Sequence, residues 1–174
     1  VPPASKTDLV LEAISLAGLV FTIGLIIYGL FNLPETIPKH VGLSGVIDSY
    51  GSKWLVLLIF FITNFLLYTI FTIANRYPYV FNYPIKVTEE NAPVLYGLAR
   101  SMMRWMKAIS VWMTAVIGWE FIAVLPYNPG QSINSLVILS VFIIVMTIVV
   151  GYYVIKIFKV SLKQNTTIKK GYQV

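Results

Sequence analysis

The polar and apolar positions of this chain fall into four long apolar runs, at 10–32, 52–75, 105–125 and 133–158, separated by shorter polar segments. Each run reaches the roughly 20 residues that a helix needs to cross a bilayer core of about 30 Å. None shows the period-two alternation of a barrel strand, and backbone groups in lipid must be satisfied within their own segment, so each run is expected to be a helix. The pattern predicts an all-α integral membrane protein with four transmembrane helices. With no internal repeat and no low-complexity linker, residues 1–174 form one domain.

The first run could serve as a cleaved leader, but Asp8 and Glu12 stand at its start and Pro34 follows it without a small-x-small cleavage site. It reads as a retained span. Within it, Gly18 and Thr22 form a small-x-x-x-small face suited to close helix approach. Asn64, Thr63, Thr69 and Thr72 in the second run are suited to hydrogen bonds between helices. Trp105, Trp112 and Trp119 recur every seventh residue; the outer two fit an aromatic belt, and Trp112 at mid-depth is expected to pack against a neighbour.

The connection at 76–104 is long enough to carry structure of its own. Its first half holds two Pro and several Tyr and Phe and should run extended along the interface. A helix then begins near 88–91, with Asn91 the favoured cap because Pro93 is tolerated only in a first turn. Val94, Leu95, Leu98, Met102 and Trp105 recur at helical spacing. Arg100, Arg104 and Lys107 do the same, so an interfacial helix is expected to meet lipid headgroups before bending into the third span. Lys156, Lys159 and Lys163 repeat this pattern at the end of the fourth.

Composition agrees with the pattern: 57% of residues are hydrophobic and 11% charged, against roughly 25% charged in a soluble domain. The net charge of +6 does not point to nucleic acid, because the bases flank the apolar runs and there match anionic lipid. Of the 13 Lys and Arg, all but Lys39 and Lys53 lie on one side of the threading. The positive-inside tendency then predicts cytoplasmic termini and an outward-facing loop at 33–53.

That loop reads L-P-E-T-I-P-K-H-V-G-L-S-G-V-I-D-S-Y-G-S-K and holds the single His of the chain. Pro34 and Pro38 with Gly42, Gly45 and Gly51 read as a turn framework. His40, Glu35 and Asp48 are metal-capable, but they match no helical metal motif and one His argues against structural zinc, so no metal or cofactor is expected. The chain has no Cys, which excludes disulfides and thiolate chemistry, and no phosphate loop or nucleophile elbow occurs. Enzyme activity is not expected.

Glu120 is the one acid well inside an expected span, roughly 9 Å below its outer end. A carboxylate at that depth needs a partner, and Lys53, Lys39 or His40 could descend to meet it. Two roles stay open for it: holding a cation or relaying a proton, or clamping the outer loop to the bundle.

Leu33-Pro34, Ile37-Pro38, His40, Gly45, Asp48 and Gly51-Ser52-Lys53 resemble the signature of a bacterial membrane domain of unknown function, the DUF1648 type, also found in SdpI-like immunity proteins. The stretches at 82–84, 88–91 and 100–107 are similar to segments that follow it in that family. The resemblance implies a multi-pass protein of the bacterial cytoplasmic membrane. In the SdpI-like branch it further implies protection against a secreted peptide toxin and, in some members, recruitment of a cytoplasmic repressor.

The expected function is therefore binding of an extracellular peptide or protein by the loop at 33–53. His40, Asp48 and Lys53 would make the contact, supported by Glu120. The alternatives are an accessory subunit of a larger membrane complex, and a transporter or membrane enzyme that uses Glu120.

Overall fold

The computed structural model describes residues 5–42, 46–129 and 133–171, with side chains at 133–135 and 161–171 left aside. Helix α1 spans Lys6–Asn32. A capping box starts it: Asp8 N donates to Ser5 Oγ at 3.2 Å and Ser5 N donates to Asp8 Oδ2 at 2.9 Å. It stops at Leu33 (φ −85°, ψ 144°), because Pro34 bars the preceding residue from helical geometry.

The following segment is a β-hairpin, β1 Thr36–Val41 paired antiparallel with β2 Ile47–Ser52. It adds one small sheet to a fold that is otherwise helical, as expected. Of the residues that suggested a turn framework, Pro34 and Gly42 flank β1 while Pro38 and Gly51 lie within the strands, whose register shifts on either side of His40. Gly45 lies outside the described residues.

Helix α2 spans Lys53–Ala74 and a short 3₁₀ turn covers Pro78–Val80. Helix α3 runs Ala92–Trp119 and passes directly into a π turn at Glu120–Val124. The separate interfacial helix is therefore the first part of α3, and no break divides it from the third span. At 1.5 Å per residue this element is about 50 Å long, well beyond a bilayer core. Its first turns have another use: Leu95 and Ala99 are buried, Tyr83 packs against Tyr96 with ring centres 5.9 Å apart and planes tilted by 47°, and Tyr83 OH donates to Pro78 O at 2.8 Å. Helix α4 spans Ile133–Gly171.

All four helices contain stretches long and apolar enough to cross a membrane; the chain is a multi-pass membrane protein. Helix α3 is central and packs against α1, α2 and α4. The buried face of α1 is Asp8, Leu11, Ser15, Gly18, Thr22 and Gly29, while Leu9, Val10, Val20 and Ile27 point outward. Lipid removes the reason to hide large apolar side chains, so the interior takes the small and polar ones. A Cβ on Gly18 would lie 2.9 Å from Val111 Cγ1, and one on Gly29 would lie 2.7 Å from Leu57 Cδ2, which marks both as points of close helix approach. Trp112 packs as expected, donating from Nε1 to Ile14 O at 2.9 Å and stacking on Phe21.

Candidate functional site

The hairpin stands on an apolar base. Ile37 is fully buried with Leu33, Val56, Leu57 and Ile122, so β1 is pinned to the ends of α1 and α2 and to the π turn of α3. Lys53, the first residue of α2, locks the strands to α1. Its backbone N–H donates to Glu35 O at 2.9 Å, and its buried ammonium donates to Leu33 O at 3.0 Å and pairs with Glu35 Oε1 at 3.2 Å. Trp54 Nε1 donates to the other Glu35 oxygen at 3.3 Å.

Above this base the side chains turn outward. His40 Nδ1 lies 2.6 Å from Asp48 Oδ1 across the strands, and both side chains are more than half exposed. Val46 and Tyr50 are exposed beside them. Gly42 N donates to Val46 O at 2.9 Å to narrow the tip. Gly51 has its own purpose: a Cβ there would meet Lys39 Cδ at 2.8 Å, so glycine lets the Lys39 stem lie across β2.

Of the four residues expected to act together, His40 and Asp48 do meet. Lys53 belongs to the base rather than the tip. Glu120 is buried at the start of the π turn, where its carbonyl accepts from Leu125 N at 2.9 Å, the longer repeat of a π turn. The bonds of Lys53 and His40 given above run to Leu33, Glu35 and Asp48.

A second polar site, absent from the sequence reading, lies at the opposite end of the bundle. Arg104 Nη1 pairs with Asp8 Oδ1 at 2.8 Å, and Ser101 Oγ donates to the same oxygen at 3.3 Å. Lys107 Nζ donates to Glu12 Oε2 at 2.5 Å and Oε1 at 2.7 Å, and to Thr72 Oγ1 at 3.2 Å. Tyr68 OH donates to Glu12 Oε1 at 2.9 Å, with the Lys107 ammonium 4.6 Å from the centre of its ring.

These contacts correct the headgroup assignment of Arg104 and Lys107. Both are buried, because an ion pair inside the bundle satisfies a base that lipid would leave bare. The available signal was the spacing: acids at 8 and 12 share one face of α1, and bases at 104 and 107 share one face of α3. Arg100 is half-buried, whereas Lys156 and Lys159 are exposed on α4, with Lys156 Nζ 4.5 Å from the Tyr152 ring centre. The side chain of Lys163 lies outside the described residues.

Between the two sites, Asn64 Nδ2 donates to Thr22 Oγ1 at 2.7 Å and to Val111 O at 3.2 Å, joining α1, α2 and α3 at mid-bundle. Outside the spans, burial and the neighbouring Tyr96 push the Tyr83 phenol up to about 12.

Residues 17–64 match the family model of a domain of unknown function, DUF1648. No curated protein and no solved structure matches the chain. The matched stretch takes in α1 from Ala17 onward, the hairpin, and α2 as far as Asn64, so it holds the hairpin base except Ile122, the His40–Asp48 pair and two of the three partners at mid-bundle. Residues 17–64 of this membrane protein are thus a domain of the DUF1648 type.

Proposed function

We propose that this is a protein of the bacterial cytoplasmic membrane, with both termini cytoplasmic, whose hairpin binds an extracellular peptide or protein. One observation carries the reading: the hairpin joins a fixed base to an exposed tip. Ile37 and Lys53 are buried, while His40, Asp48, Val46 and Tyr50 lie open. A ribbon held this way presents recognition side chains with little ordering entropy left to lose on binding. Immunity to a secreted peptide toxin is the narrower form of this reading, and rests on the resemblance to SdpI-like proteins.

A second reading, a subunit of a larger membrane complex, is supported by α4. Few side chains of its apolar stretch Leu136–Val160, among them Tyr153 and Ile157, are buried, which leaves most of that helix for lipid or a neighbouring subunit.

The test is purification from the native membrane in mild detergent, with mass spectrometry of whatever accompanies the protein in near-equal amount, repeated for His40→Ala and Asp48→Ala. Loss of a secreted partner in both variants, with unchanged membrane insertion, supports the hairpin reading. A stoichiometric integral membrane partner retained by both variants favours the subunit reading. A secreted partner retained in full by both overturns the assignment to the tip.

A further inference from the structure

The interior of the three-helix contact is polar along one line. From the end that carries the ion pairs, α1 turns Asp8, Glu12, Ser15 and Thr22 toward α2 and α3. Glu12 meets Tyr68 and Lys107, and Thr22 meets Asn64. Ser15 and Asn64 are fully buried. Toward the hairpin the line ends at Leu33, Ile37, Val56, Leu57 and Ile122, a purely apolar cluster.

Asn64 supplies a second, independent observation. Its Oδ1 is buried and accepts no hydrogen bond among the described residues. The amide cannot simply be turned over, because Val111 O only accepts and requires the NH₂ group at 3.2 Å. A buried acceptor without a donor costs about 1–3 kcal/mol, and bound water is the common remedy. At the ion-pair end of this line the Glu12 side chain is 42% exposed, although Lys107 beside it is 2% exposed.

From these observations we propose that the seam between α1, α2 and α3 is a water-bearing half-channel. It opens at the Glu12–Lys107 end, reaches Asn64 and is sealed toward the hairpin by the Leu33–Ile37 cluster. Water entering past Glu12 meets the Ser15 and Thr22 hydroxyls and donates to Asn64 Oδ1. The seal confines proton exchange at Glu12 and Lys107 to the compartment on that side. The proposal is independent of what the hairpin binds.

The experiment is water-edited solid-state NMR on the full chain in lipid bilayers, in which magnetisation passes from water protons to nearby nitrogens. The Asn64 side-chain amide is identified by its loss in Asn64→Leu. In the unmutated protein, Asn64 Nδ2 and the Ser15 and Thr22 backbone amides are expected to polarise at least about threefold faster than the Gly29 amide beside the seal. Asn64 polarising as slowly as Gly29 overturns the proposal. So does a reversed gradient, with Gly29 wet and Ser15 dry.

Discussion

Lys107 and Glu12 are separated by 95 residues in sequence, yet the Lys107 ammonium reaches both Glu12 carboxylate oxygens, at 2.5 and 2.7 Å. The pair ties the middle of α3 to the first turns of α1, with Tyr68 and Thr72 of α2 completing the shell around the ammonium. Removing one member strands the other. Lys107→Met is expected to lower stability in detergent by about 3 kcal/mol, the low end for a broken buried pair because Glu12 stays half open to solvent. Glu12→Leu combined with Lys107→Met should recover much of that loss, since two apolar residues leave no lone charge. Thermal unfolding of both single variants and the double variant measures the coupling, and strictly additive losses would rule out a direct pair.

The glycines of α1 give a contrast within one helix. A Cβ on Gly18 would press on Val111 at 2.9 Å and on Trp112 Nε1 at 3.1 Å, whereas one on Gly24 meets nothing within 4 Å. Gly18→Ala should therefore cost about 1–3 kcal/mol through overpacking. Gly24→Ala should be neutral, or stabilising by up to about 1 kcal/mol through its better helix propensity. Matched melting curves check the pair; equal effects would mean that α1 does not approach α3 as closely as Gly18 indicates.

The spans were legible because a run of about 20 apolar residues has few alternatives in a chain this poor in charge. The start of α3 just after Asn91 and the inward role of Asn64 were legible too, although the Asn91 side-chain oxygen accepts from Thr88 N at 2.8 Å instead of capping the helix. The hairpin was not: six-residue strands interrupted by Pro38 give too short an alternation to register, and their pairing is set by Ile37 settling into the bundle. The inward turn of Arg104 and Lys107 was hidden for a different reason. A helical stripe of bases looks the same whether it faces headgroups or acids on another helix, and only the packing of α1 on α3 decides between them. The π turn that begins at Glu120 was hidden as well, because it depends on tertiary context.

Tyr83 predicts a pH response outside the spans. Its phenol is held neutral to about 12 by burial first and then by Tyr96, against an ordinary value of 10.0. For an acid whose folded pKa is raised, the folded state keeps a proton that the unfolded chain has released. Its stability contribution is therefore present below about pH 10 and is lost as pH rises toward 12. The tyrosinate absorbance of the parent protein minus that of Tyr83→Phe should show a midpoint near 12. A midpoint near 10 would mean that the 3₁₀ turn at Pro78–Val80 does not cover this ring.

Lys53 and Glu35 form a pair whose members should not be equally important. Lys53 is buried, and its ammonium caps the Leu33 carbonyl at the end of α1, where a positive charge also complements the helix dipole. The Glu35 side chain is 75% exposed, so its share of the ion pair is screened by water and contributes at most about 1 kcal/mol. Glu35→Gln, which keeps an acceptor for Trp54, should hardly move the melting temperature. Lys53→Met leaves a carbonyl at the end of α1 without its donor and should cost about 1–3 kcal/mol. If the two substitutions instead cost the same, the Lys53 ammonium would act through the salt bridge alone, and its contact with the Leu33 carbonyl would contribute nothing to fixing the strands.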